Sequence, residues 1–486
     1  MDFWFTLAAQ QRQVGDNKTV NMKILLRSFK TLLVAFLLQS ELPAIAASAG
    51  GKTGHLTEPP EDQTEDLAKT DRVDSKKLEW NVKNLLEDYR GNGSQNAKWD
   101  VPAERALTAY ASNRSGVVVV KQDEMNAFCQ EALKAGCKDP MIKYLLIRAI
   151  APQAGKANMQ QAKQYSEAAK ELEASKYSGI RKFYGFARAA DAMFSGGGTN
   201  RETRMLANTY RRNATSSLES ALKDDTIPVT EAYDACRDLL NLTYRFKQEY
   251  HYAFHRLEPI LLAKWPDESS IQLIRGHFYI EYAWAARGNG LADTVTDEGW
   301  KLMAERLETA AQALEKAWKL NPKDERIPTE MITVEMGQGK GRERMELWFG
   351  RAMQLRTNNY RACWKKAYYL EPKWYGSPEE LLKFGRECVA SKNWGGKVPL
   401  ILVDAHNMLV TYLPREKRAD YWKQPEVWND LKAGYEKYLK STPDGKAQRE
   451  RYIRHAYENA KWAELNTQLK LLSEPNYASF GGKAKI

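Results

Sequence analysis

Two histidines one helical turn apart raise the question of chemistry first. His251 and His255, in HYAFH, stand i, i+4, a spacing that lets both imidazoles face one metal ion. Glu258 follows three residues later as a candidate third ligand. The zincin helix needs glutamate directly after its first histidine, and here that position is Tyr252. With Tyr252 and Phe254 interleaved, two ordinary helical histidines are the simpler reading, and no metal or other cofactor is assigned. His277 and Glu281 repeat the spacing and read as a hydrogen bond along a helix surface.

Gly337-Gln338-Gly339-Lys340-Gly341-Arg342 looks at first like a phosphate cradle. A P-loop needs lysine followed by serine or threonine, and a strand before it; here Gly341 follows Lys340 and a helical pattern precedes. The segment reads as an interhelical turn. Tyr282, Trp284 and Arg287 close a helix at a glycine-rich corner. Their rings and guanidinium could line a ligand groove, with Arg287 stacked on a ring. The alternative is a helix end packed inside the fold, since large aromatics dominate cores. These three are the candidate ligand residues. No catalytic residue is assigned, because triads are assembled in space rather than along the chain.

The elements that carry these residues are helical. From Leu302 to Trp318 the apolar positions Leu302/Met303, Leu307, Ala310/Ala311, Leu314 and Trp318 fall on one face. Thr296 is placed to cap that helix, with Asp297 and Glu298 in its first turn, and Asn321-Pro322 ends it. ALEKAWKLNPKD (Ala313–Asp324) recurs as WFGRAMQLRTNN (Trp348–Asn359), about 35 residues on, close to the ~34-residue tetratricopeptide period. AGYEKYLKSTPD (Ala433–Asp444) is a weaker third copy, and Thr357 stands where the first copy has proline. The fold expected is all-α: a degenerate tetratricopeptide-like solenoid of antiparallel helix pairs. Other helices are expected at Pro102–Ala111, Gln160–Ala174, Ile180–Phe194 and Arg201–Lys223, with Asp139-Pro140 opening another. Beyond Thr226-Ile227-Pro228 they continue through Val229–Lys247, Tyr250–Lys264, Glu268–Ala286, Asn359–Leu370, Pro378–Ser391, Pro399–Leu413, Gln424–Lys440 and Lys446–Leu472. Val117–Val120 fits a short strand or a helix entry equally. The absence of strand–helix alternation argues against nucleotide-binding α/β folds.

With 486 residues, 43% of them hydrophobic and 14 of them tryptophan, the chain can bury a large core. A net charge of +11 suits anionic surfaces, but 73 basic residues are interleaved with 62 acidic ones, the pattern of solvated helix faces rather than of nucleic-acid binding. Lys23, Arg27 and Lys30 precede the apolar run Leu32–Leu38, and Ala44-Ile45-Ala46 supplies a cleavage pattern: the three parts of a secretory signal. The run is too short for a membrane-spanning helix of ~20 residues. Residues 1–21 thus read as a start-site extension, 22–46 as a signal peptide and 47–77 as a polar, flexible tether. Residues 78–225 form an N-terminal helical part, 226–472 the helical array and 473–486 a tail. An exported chain permits disulfides; among Cys129, Cys137, Cys236, Cys363 and Cys388, the pairs 363–388 and 129–137 lie on neighbouring segments.

HFYIEYAWAARGNG (His277–Gly290), RMELWFGRAM (Arg344–Met353) and YYLEPKWYGSPEELLKFGREC (Tyr368–Cys388) resemble a bacterial family of uncharacterised exported proteins with tetratricopeptide-like helices, over roughly Asp123–His406. That resemblance implies fold and export, and carries no catalytic assignment. The expected role is a non-catalytic scaffold for a protein or peptide partner in the cell envelope. The alternative is an envelope small-ligand receptor or metal-dependent enzyme, with its site near His251/His255 or Arg287.

Overall fold

The computed structural model describes residues 75–116, 120–150, 157–197, 200–246 and 250–472. The start-site extension, the signal peptide, most of the tether, residues 117–119 and the tail lie outside the described residues. The helices begin with α1 (Ser75–Gly91), α2 (Asp100–Ser115), α3 (Gln122–Lys134) and α4 (Pro140–Ile150). Next come α5 (Met159–Ala174), α6 (Gly179–Gly196), α7 (Arg201–Ala221) and α8 (Val229–Phe246). The middle holds α9 (Tyr250–Lys264), α10 (Ser269–Arg287), α11 (Asp297–Leu320) and α12 (Arg326–Gln338). It continues through α13 (Arg342–Leu355), α14 (Tyr360–Tyr369), α15 (Pro378–Ala390) and α16 (Ile401–Val410). The chain closes with α17 (Arg418–Trp422), α18 (Pro425–Ser441), α19 (Lys446–Glu458) and α20 (Trp462–Lys470). Among the described residues there is no strand.

Local chemistry accounts for these starts and stops. Thr296 accepts a hydrogen bond from the Gly299 N–H at 3.0 Å and starts α11, whose buried face carries Met303, Leu307, Ala310, Leu314 and Ala317. Asp139 caps α4 through the N–H groups of Met141 and Ile142. Asn359 caps α14 at the Ala362 N–H (2.9 Å), and its amide donates to Thr329 on α12 (2.9 Å). One side chain thereby starts a helix and ties it to another. The Gly337–Arg342 segment is an interhelical turn, with Gly339 and Gly341 at φ 62° and 102°.

The helices form a two-layer solenoid of antiparallel pairs. Helices α6, α8, α10, α12, α14 and α16 lie side by side in one layer, and α7, α9, α11, α13 and α15 alternate with them in the other. First-layer neighbours touch directly along the array. Helices α10 and α11 pack closely: a Cβ on Gly276 would stand 2.5 Å from Leu314 Cγ. The apolar core runs through the stack in overlapping sections, from Leu85 to Phe278, from Leu273 to Leu409, and from Leu400 to Leu465. Ile227, where the sequence suggests a division, is buried within the first section.

Buried charges pin first-layer helices to one another. Glu231 on α8 accepts from Tyr184 Oη on α6 (2.6 Å) and Asn81 Nδ2 on α1 (3.0 Å), and pairs with Arg114 on α2 (3.0 Å). Glu330 on α12 pairs with Lys365 (2.9 Å) and Arg361 (3.2 Å) on α14, and with His277 on α10 (3.6 Å). Asp404 on α16 accepts from Tyr360 on α14 (2.6 Å) and pairs with Arg451 on α19 (3.5 Å).

Three expectations need correction. The tether does not reach residue 77: Ser75–Lys77 belong to α1, because Lys77 is buried in an ion pair with Asp234. The helix expected over Lys446–Leu472 is two helices. The chain breaks at Ala460, whose φ of 53° interrupts the helix, and the His455 carbonyl of the last turn accepts from both the Asn459 backbone N–H (3.0 Å) and its side-chain amide (2.7 Å). The helix expected from Pro399 begins instead as a 3₁₀ turn over Val398–Leu400, and α17 follows as a short helix the periodicity did not reveal.

Candidate functional site

The C-terminal turn of α10 sends its aromatic residues two ways. Tyr282 and Trp284 are i, i+2, on opposite sides of a helix, whereas Trp284 and Arg287 are i, i+3 and share a face. Tyr282 accordingly leaves the expected groove. Its ring stacks on His251 at 5.1 Å, and the Arg306 guanidinium lies 3.3 Å from the ring centroid while donating to the Tyr282 carbonyl at 2.7 Å. Trp284 and Arg287 remain together.

Sequence reasoning missed the two residues that complete their surroundings. Trp300, from the first turn of α11, and Trp374, from the turn after α14, close around Arg287. The guanidinium lies 5.9 Å from the Trp284 ring, 5.4 Å from Trp300 and 5.5 Å from Trp374. Trp284 meets Trp374 edge to face at 5.5 Å. Arg287 Nη1 donates to the carbonyls of Gly288 (3.2 Å) and Gly290 (2.9 Å), folding the corner back on its own helix. Burial pulls the guanidinium below its ordinary pKa, and the one opposing influence is the Tyr368 phenol rather than a carboxylate. Three donors here are buried without a partner among the described residues: Arg287 Nε, Trp284 Nε1 and Trp374 Nε1. In the sequence, Trp374 stands inside Tyr368–Cys388, one of the strings that carry the resemblance, in the turn Glu371–Gly376, and nothing marked Trp300.

That turn is rigid. Tyr375 donates to the Met336 carbonyl at 3.0 Å and stacks on Tyr369 at 4.8 Å, while Glu371 accepts from Tyr412 at 2.8 Å. Gly376 has no room for a side chain: a Cβ would sit 2.2 Å from the Leu370 carbonyl oxygen. Gly376→Ala is expected to cost about 1–3 kcal/mol, as overpacked sites do, and to move Trp374 off Arg287. Chemical denaturation and tryptophan emission check both; unchanged stability and spectrum would show that the turn absorbs the methyl.

The histidines form a different surface. His251 and His255 sit on α9 with ring centroids 6.5 Å apart, and His255 packs against Phe278 and Tyr282 at 5.4 and 5.5 Å. Glu258 lies 3.6 Å from His255 but is held by Arg275 Nε (2.7 Å) and Tyr279 Oη (3.1 Å). Among the described residues no group of three or more His, Cys, Asp or Glu is arranged to hold a metal ion. His277 faces Glu330 on α12 rather than making the surface bond expected with Glu281, and that carboxylate raises its pKa against the opposing effect of burial. All five cysteines are buried thiols, so neither suggested pairing is formed. Burial pushes Cys129 and Cys236 up to about 12, away from thiolate chemistry.

An open cleft of about 280 Å³ lies between α11 and α13, in the segment that repeats. Arg351 lies over Trp348 (4.4 Å) and Trp318 (5.3 Å), and Lys319 and Leu347 also line the cleft. It is open to solvent, with Lys319, Arg344 and Leu347 exposed and Trp348 buried. No helix among the described residues is long and apolar enough to cross a membrane. No protein-family model matches the chain, and no curated protein matches it.

Proposed function

We propose that this chain is an exported, non-catalytic helical-repeat scaffold of the bacterial cell envelope that binds a protein or peptide partner. Fold alone does not dictate a role. The observation that carries the reading is the Arg287 corner: a cation with no carboxylate partner among the described residues, framed by indoles at the end of a helix pair. Buried cations are ordinarily paired, so one left open suits recognition of a partner's negative group. Export rests on the Lys23–Ala46 pattern and on the resemblance to exported tetratricopeptide-like proteins. The metal-dependent alternative lacks support, since Glu258 is engaged by Arg275 and Tyr279.

Expression from Met22 in a bacterial host tests the reading. The mature protein is expected in the envelope fraction, beginning just after Ala46, and crosslinking there is expected to recover a recurrent partner. Retention of residues 22–46 in cytoplasmic protein overturns export. Repeated crosslinking with no specific partner overturns the scaffold role.

A further inference from the structure

We propose that the Arg287 corner recognises the free C-terminal carboxylate of a peptide whose last side chain is apolar or aromatic. The proposal rests on the scaffold reading and names the chemistry of its partner.

The guanidinium geometry points to a carboxylate. Nη1 is committed to the Gly288 and Gly290 carbonyls. That leaves the Nε–Nη2 edge, whose Nε has no partner, and this is an edge that forks onto two carboxylate oxygens. Trp284 is only 5% exposed, and its Nε1, like that of Trp374, is also unpartnered. Every one of these three groups donates and none accepts, so the complement is a group rich in acceptor oxygens. Among the described residues no carboxylate acts on Arg287, so its charge is left uncompensated there.

The surroundings point to a chain end. Three indoles lie within 5.9 Å of the guanidinium, and the Gly288 and Gly290 carbonyls hold its Nη1. At the rim, Trp300 is 39% exposed and Leu291 63% exposed, an apolar shelf beside the charge for the terminal side chain. A terminal carboxylate next to an apolar residue satisfies both features at once.

The test is a tryptophan-fluorescence titration of the full chain with N-acetyl-Gly-Phe as free acid, its C-terminal amide, N-acetyl-Glu-amide and acetate. The free acid is expected to bind at least about ten-fold more tightly than the amide, a step of the size one lost charged contact makes. Arg287→Gln is expected to erase that preference, and Arg287→Lys to keep part of it. Trp300→Ala, at an exposed position, is expected to weaken the free acid while leaving the acid-to-amide ratio unchanged. Equal binding of acid and amide, or a preference that survives Arg287→Gln in a protein with an unaltered circular-dichroism melt, overturns the proposal. Binding of N-acetyl-Glu-amide or of acetate as tight as the free acid overturns the assignment to a chain end. If these titrations fail while crosslinking still recovers a partner, the scaffold reading stands and the carboxylate assignment alone falls.

Discussion

Glu231→Ala is expected to lower stability by about 3–5 kcal/mol, because removing one member of a buried charge network leaves the others uncompensated. Glu231 is 0% exposed and sits among Arg114, Lys77, Tyr184 and Asn81, contributed by three other helices. Arg114 also lies over the Tyr184 ring at 3.8 Å, so the cation loses its partner but not its burial. Urea denaturation at neutral pH measures the loss; a change below about 1 kcal/mol, the worth of a surface pair, would mean that water enters to replace the carboxylate. Acid makes the same cut without mutation. Against desolvation, Arg114 first and then Lys77 hold the Glu231 carboxyl down at about 2, below its ordinary 4.5. A depressed carboxylate stabilises fully above 4.5, and that stability is lost as pH falls through the folded value. His455 acts earlier. Burial, aided by Arg451 and Arg454, holds it neutral to about 3, so its contribution is complete above 6.5 and fades as pH falls toward 3. Thermal midpoints are therefore expected to decline from about pH 6.5 and more steeply below about 4.5, with the second step shallower but still present in Glu231→Ala, because against desolvation Lys365 and Arg361 hold the Glu330 carboxyl down as well.

Phe278→Ala is expected to cost about 3–5 kcal/mol, the usual result of emptying a buried aromatic site. Phe278 is 0% exposed and stacks on Phe254 across α9 and α10 at 4.2 Å. It is also the last residue of the first core section, while Leu273 and Ile280 on the same helix belong to the second. Stability in a solenoid is close to a sum of nearest-neighbour interfaces, so damage at one junction separates the parts it joins. The variant is expected to unfold in two denaturant transitions where the parent shows one. A single transition shifted intact would show that the sections remain coupled through other contacts along α10.

The residues explain why some of this was legible and some was not. The α11 stripe, the Thr296 cap and the Gly339–Gly341 turn depend on local periodicity and local chemistry, and the chain states them directly. The break at Ala460 was hidden because neither glycine nor proline marks it; a non-glycine residue takes the left-handed conformation. Trp300 and Trp374 reach Arg287 from other parts of the chain, and no spacing rule links residues that meet only through the stacking of helices. His277 shows the same limit: a local partner at Glu281 was visible, but Glu330 on a neighbouring helix takes it. The split between Tyr282 and Trp284 was legible in their i, i+2 spacing, which places them on opposite faces.

The acidic residues that bridge first-layer helices have a mechanical consequence. Helix pairs that meet through smooth apolar faces can slip and twist, and arrays built that way stretch like springs. Here Glu231, Glu330 and Asp404 each fasten helices from different pairs at fixed points along their lengths. Sliding one pair against the next would strand those charges, so the array resists extension and holds its pitch. Such an array behaves as a strut under load rather than as a spring.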